Sequence, residues 1–224
     1  MEREIDEYIH NHLDIENNVL NELYRYTHLN VPYSGMVSDH IQGRLLSMLS
    51  HMVRPEHILE IGAFTGYSAI CLAEGLSEKG HLYTIELDDE RAEIASAFIE
   101  KAGVTDRITL LVGDALEIIP KLDIVFDLIF IDAAKKQYMD YYHAIFDKVR
   151  PGGYIMVDNI LWYGQVADPK VQDEMTNELR RFNDFIQCDV RVEKAIVQNR
   201  DGLFILRKKM NKSDIRTFQF LSSE

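Results

Sequence analysis

Apolar and polar positions along the chain fall into two regimes. Over residues 3–30, Ile5, Ile9, Leu13, Leu20, Leu23 and Tyr24 recur at roughly helical spacing, which predicts a helix with one apolar side. Pro32 and Gly35 in VPYSGM (31–36) break that pattern. SDHIQGRLLSMLSHMV (38–53) predicts a second helix, with Ser38 as N-cap and Ile41, Leu45, Met48 and Met52 as its apolar stripe. From residue 57 the rhythm changes to short, nearly continuous apolar runs. HILEIG, HLYTIEL, RITLLVGD, VFDLIFID and YIMVDN read as strands. Between them, GYSAICLAEGL, DERAEIASAFIEKAG, a short stretch near 115–121 and KQYMDYYHAIFDKV read as helices. Gly103 stops the second of these and PGG (151–153) the last. A helix across 170–186 follows, then VRVEKAIV, the turn QNRDG and LFILRKK.

Strands that are apolar throughout and alternate with helices predict an α/β fold, a doubly wound parallel sheet covered on both faces. QNRDG is too short for a crossover, so the last strand runs antiparallel to its neighbour. Without internal repeats or linkers, 1–224 reads as a single domain: a helical N-terminal cap (1–53), a Rossmann-like core (57–209) and a tail (210–224).

Composition narrows the class. The chain has 224 residues, 46% of them hydrophobic and 27% charged, as in a globular protein with a sizeable core. A net charge of −13 disfavours a general nucleic-acid or anionic-membrane surface. No apolar run is long enough to span a bilayer, and the acidic start MEREIDEYIH is unlike a signal peptide, which points to the cytoplasm. Cys71 and Cys188 both sit among apolar neighbours and read as buried thiols, not a disulfide.

ILEIGAFTGYSA (58–69) approaches a dinucleotide fingerprint, with Gly62 and Gly66, but Phe64 stands where the middle glycine approaches a pyrophosphate. A ligand without phosphates tolerates this. An amino-acid moiety suits the turn, its carboxylate at the helix start, its ammonium at Glu60 and a further bond to Ser68. Glu86 ends the second strand, where an acid accepts ribose hydroxyls. Asp114 and Ala115 end the third, where a base can sit. Amino acid, ribose and base together describe S-adenosylmethionine. Each strand-end acid is also a candidate helix cap.

FIDAAKKQY (130–138) and MVDNILWYG (156–164) carry a second signal. Asp132 ends the fourth strand, and Asp158 with Asn159 ends the fifth. Two carboxylates and an amide oxygen suit a hard cation such as Mg²⁺, with Ca²⁺ or Mn²⁺ as alternatives. Lys135 stands at a helix start, against the dipole, where it is either a general base or a solvated surface lysine. Trp162 and Tyr163 either wall an aromatic substrate or anchor a loop in the core.

EIGAFTGYS, IELD, GDA, IDAAK and VDNILWYG, in this order, resemble the cation-dependent class I O-methyltransferases of the caffeoyl-CoA and catechol type, over about residues 31–209. The resemblance implies a seven-stranded Rossmann-like sheet with an antiparallel last strand, S-adenosylmethionine, a divalent metal and a homodimer. It implies a cofactor site of Met36, Glu60, Gly62, Ser68, Glu86 and Ala115. Asp114 and Asp132 are counted with that site. It also implies metal ligands Asp132, Asp158 and Asn159, and Lys135 as base. Ala134 departs from the acid that many members carry there. Shorter insertions than in the plant members point away from a CoA thioester. The expected activity is O-methylation of a small catechol-like aromatic. The alternatives are methylation of a hydroxyuridine in tRNA, with Lys135, Lys136 and RKK (207–209) as a basic patch, and cofactor binding without catalysis.

Overall fold

The computed structural model describes residues 2–210. The chain forms two compact units, up to Asp114 and from Ala115 onward. Its seven strands belong to one sheet.

In the first unit the expected long N-terminal helix is two: α1 (Glu2–His10) and α2 (Asn18–Asn30). Asn17 causes the restart, its side chain accepting from the Val19 amide at 2.8 Å. Helix α3 (His40–Val53) is capped by Asp39, not Ser38, through a 2.9 Å bond from the Gln42 amide. Strand β1 (His57–Ile61), helix α4 (Tyr67–Ala73), strand β2 (His81–Glu86), helix α5 (Asp89–Lys101) and strand β3 (Ile108–Val112) follow. The strands lie in the order β3-β2-β1, all parallel.

The apolar stripe expected on α3 is not its buried side: Ile41 and Leu45 are half-buried, and Met48 and Met52 are 52% and 81% exposed. The buried side is Gln42, Gly43, Leu46, Ser47 and Ser50. Steric closeness explains the reversal. A Cβ on Gly43 would stand 2.7 Å from the Tyr67 ring and 2.8 Å from Cys71 Sγ. One on Gly75 would stand 2.3 Å from the Ser50 and His51 backbone. At Gly43 and Gly75 the approach leaves no room for a side chain. The serines are satisfied there, Ser50 donating to the Leu72 carbonyl at 2.7 Å and Ser47 to Glu74.

The second unit holds α6 (Ala115–Ile118), β4 (Phe126–Ile131), α7 (Tyr138–Phe146), β5 (Val149–Val157), α8 (Glu174–Cys188), β6 (Val192–Val197) and β7 (Leu203–Lys208). β4 and β5 pair in parallel, while β7 pairs antiparallel with both β5 and β6. The antiparallel last strand is as expected. PGG lies inside β5, where the register against β4 shifts, and does not end the helix. α7 stops at Phe146, whose carbonyl, with that of Val149, accepts from Lys208 Nζ at 2.8 Å. α8 begins four residues later than expected, because Asp173 caps it on the Thr176 amide.

Cys71 is buried but Cys188 is exposed. The buried stripe of α8 is Thr176, Leu179, Phe182 and Ile186, and Cys188 falls off it. Asp189 is buried just past α8. It accepts from Tyr142 Oη at 3.0 Å, the Arg191 amide at 2.9 Å and the Arg191 guanidinium at 2.6 Å. No helix among the described residues is long and apolar enough to cross a membrane.

Two outcomes follow. Gly75→Ala forces a methyl into the Ser50–His51 backbone and destabilises by about 2–3 kcal/mol, read as a lower urea midpoint with unchanged slope. Asp189 has its pKa lowered to about 2, chiefly by the Arg191 side chain. A depressed carboxyl stabilises the fold above its unfolded pKa and loses that contribution as pH falls through the folded value. Asp189→Asn therefore costs about 1–2 kcal/mol at neutral pH, and the deficit shrinks as urea titrations are repeated below about pH 4.

Candidate active site

In the first unit the carboxyl ends of β1, β2 and β3 are drawn together by backbone bonds. The Gly62 and Ala63 amides both donate to the Ile85 carbonyl, at 2.9 and 3.0 Å, and the Gly113 amide donates to the Glu86 carbonyl at 2.9 Å. Gly62, Gly66 and Gly113 take φ of 100°, 92° and 137°, where other residues are strained. Gly62, Glu86 and Asp114 thus converge. Glu86 is buried and grips the turn: one carboxylate oxygen accepts from the Phe64 amide at 2.7 Å, the other from the Asp88 amide at 3.1 Å. Burial raises its pKa, against the pull of these two amides. Phe64 itself, at φ 49°, lies with its ring 5.2 Å from the Arg91 guanidinium.

Glu60 is fully buried and accepts from Thr84 Oγ1, its partner in the β1–β2 register. Ser68 is buried in the first turn of α4. Met36 is half exposed in a separate 3₁₀ turn, Ser34–Met36. Asp114 is exposed, and Ala115 is buried at the start of α6. Two features escaped the sequence reading. Thr27 and Thr65, both fully buried, share a 3.0 Å hydroxyl bond that ties α2 to the glycine turn. Leu87 is 73% exposed directly after Glu86, an apolar surface at the strand end. A large apolar residue directly after a strand-end acid was the available signal.

In the second unit the parallel register pairs Ile131 with Val157, so the next residues are Asp132 and Asp158. The Asp158 amide donates to the Ile131 carbonyl at 3.0 Å, and the Asp158 carbonyl accepts from buried Tyr138 Oη at 2.8 Å. Asp158 is 4% exposed. Lys135 Nζ lies 2.7 Å from Asp132 Oδ1, with side chains 14% and 17% exposed, which excludes the solvated surface lysine. Burial works to lower the Lys135 pKa, but the Asp132 carboxylate overrides it and the net direction is upward. Lys135 Nζ also sits 5.3 Å from the Tyr138 ring centroid. Asn159, Trp162 and Tyr163 have φ of 56°, 49° and 54°, three strained residues in one loop. Tyr163 is 80% exposed, which excludes a core anchor, and its ring lies 5.5 Å from that of Trp162.

Among the described residues no three or more His, Cys, Asp or Glu side chains group as a metal cluster. Two carboxylates and an amide at adjacent strand ends nonetheless fit a hard, oxygen-preferring cation. The first unit's strand ends fit a ligand with a ribose and without a pyrophosphate.

The family model described as O-methyltransferase matches residues 10–209. The chain belongs to the O-methyltransferase family. The methyltransferase is 37% identical over 187 residues to a caffeoyl-CoA O-methyltransferase from Populus kitakamiensis, covering 78% of this chain and 79% of that one. It is 35% identical over 161 residues to a catechol O-methyltransferase from Niastella koreensis, covering 70% and 73%. Among solved structures it is similar to the O-methyltransferase TomG from Streptomyces achromogenes in complex with SAM. That match has a TM-score of 0.85, 31% identity and coverage of 92% and 96%. It is equally similar to an O-methyltransferase from Bacillus cereus in complex with SAH, with a TM-score of 0.85, 32% identity and coverage of 92% and 97%. The cofactor of the family is S-adenosylmethionine.

Glu86→Gln keeps the shape of the methyltransferase's turn clamp but puts an NH₂ group where one acceptor oxygen stood. Titration calorimetry should show S-adenosylmethionine bound about tenfold or more weakly.

Proposed function

We propose that the chain methylates a hydroxyl of a compact, catechol-like aromatic, in a reaction that needs a divalent cation. The observation that carries this reading is the part-buried Asp132–Lys135 pair beside Asp158, at the ends of two adjacent strands. Glu60, Gly62, Ser68, Glu86, Asp114 and Ala115, with Met36, form the cofactor-binding set, and Leu87 offers the base an apolar surface. S-adenosylmethionine bound there supplies an electrophilic methyl group on a sulfonium. Asp132, Asp158 and Asn159 are the candidate ligands of a cation such as Mg²⁺, which supplies Lewis acidity toward two neighbouring oxygens.

Lys135 moves the proton. Asp132 is the charge that keeps Nζ protonated, only 2.7 Å away. Once Asp132 is otherwise engaged, burial, the largest single influence on Lys135, favours the neutral amine against the remaining pull of Tyr138. Neutral Nζ takes the proton of the acceptor hydroxyl and leaves an oxygen nucleophile for methyl transfer. Tyr138 holds the Asp158 backbone in place through its 2.8 Å bond. Trp162 and Tyr163 offer aromatic faces to a ring.

The tRNA reading has less support. Lys135 pairs with Asp132, Lys136 with Glu174 and Arg207 with Glu193, while Lys208 caps α7. Each of these four side chains already has an acidic or backbone partner within the chain, which competes with phosphates.

Labelled S-adenosylmethionine should pass its methyl to catechols with Mg²⁺ and not with EDTA. Lys135→Met should lower kcat about 10²–10⁴-fold, and Asp158→Ala should lose metal-dependent turnover while still binding the cofactor. Turnover undiminished by EDTA sinks the cation, and label on tRNA alone moves the acceptor to RNA.

A further inference from the structure

The loop after β5 is held in a conformation it would not keep alone. Asn159, Trp162 and Tyr163 all lie in the left-handed region, which non-glycine residues adopt only under strain. Two groups from outside the loop offset that strain. Arg180 of α8 places all five of its N–H donors. They go to the carbonyls of Gln165 (2.9 Å), Val166 (3.0 Å), Asp168 and Val171 (2.7 Å), and to Asn177 Oδ1 (3.0 Å). The turn between β6 and β7 grips the other end. The Leu161 amide donates to the Asp201 carbonyl at 2.9 Å, the Ile160 amide to the Gly202 carbonyl at 3.2 Å, and the Tyr163 amide to the Asp201 carboxylate. Gly202 has φ 81°, and a Cβ there would stand 2.4 Å from Leu161 Cγ. A loop with its backbone taken at both ends does not swing open as a lid.

We propose that Arg180 and Asp201 are positioning residues that preset the Trp162–Tyr163 wall and thereby confine the enzyme to compact acceptors. This rests on the catechol reading above. A preset wall favours a small ring, because its ordering is already complete before binding. It disfavours a bulky one, because the loop cannot yield without releasing Asp201 or Arg180.

The test compares Asp201→Ala, Asp201→Asn and Arg180→Lys with the wild type, each loaded with Mg²⁺ and S-adenosylmethionine. Two readouts are taken: amide hydrogen exchange over residues 159–171, and kcat/KM for catechol against a catechol with a bulky ring substituent. In Asp201→Ala, exchange over 159–163 should quicken about tenfold while β4 and β5 keep their protection. The preference for plain catechol should fall about fivefold, through KM more than kcat. Asp201→Asn keeps an acceptor oxygen for the Tyr163 amide and should restore both readouts. Arg180→Lys should loosen 165–171 instead. Unchanged exchange in both Asp201→Ala and Arg180→Lys overturns the proposal, as does faster exchange with discrimination unmoved. A wild type that methylates no catechol overturns the catechol reading and the selectivity with it, while the exchange data still decide whether the latch exists.

Discussion

A strand buried on both faces leaves a charged side chain little choice but the strand's end. That constraint organises this chain. β1 and β4 run through the interior almost without a polar break, and the acids gather where the strands stop. Glu86, Asp132 and Asp158 are carboxylates at or just past strand ends: the first two are held through their side chains and Asp158 through its backbone carbonyl before any ligand arrives. Carboxylates inside these two strands need a partner: Glu60 in β1 accepts the Thr84 hydroxyl across the register, and Asp127 in β4 is paired with Arg150. The sheet therefore does more than support a site. In each unit it leaves the acids Glu86, Asp132 and Asp158 at or just past the ends of its strands.

Electrostatic balance follows from the same arrangement. Asp132 would be a costly half-buried charge by itself, and Lys135 neutralises it from three residues away. The lysine sits where the helix dipole disfavours it, and the carboxylate outweighs the dipole. One ion pair thus makes both groups tolerable and keeps the lysine within reach of whatever replaces it at the carboxylate.

Most of the fold was legible in the chain because its strands are apolar throughout and its turns are marked by glycine. The order of strands and helices from residue 57 and the antiparallel last strand follow from run length and from the shortness of QNRDG. The residues at strand ends were legible for the same reason. What was not legible depends on distance between elements. Hydropathy put the apolar side of α3 inward, because periodicity cannot register that α4 approaches too closely for Leu45 or Met48 to fit. PGG looked like a stop, because a strand with a shifted register accepts Pro151 and the two glycines without a pattern that announces it. QNRDG read as a simple turn. Its grip on the loop at 160–163 is a tertiary fact, and only the Asp-Gly pair at 201–202 hinted at it. The hold of Glu86 on Phe64 was hidden likewise, since nothing in a row of letters says which amide a carboxylate faces.

The seam between α3 and α4 has a consequence for how the chain can change over time. Gly43 and Gly75 face backbone and ring atoms with no room for a methyl, so these two positions are closed to drift toward larger residues. Variation is left to the outward side. Leu45, Met48 and Met52 are therefore the positions where the helix can acquire or lose neighbours, or trade grease for charge, while the interior beneath them stays as it is.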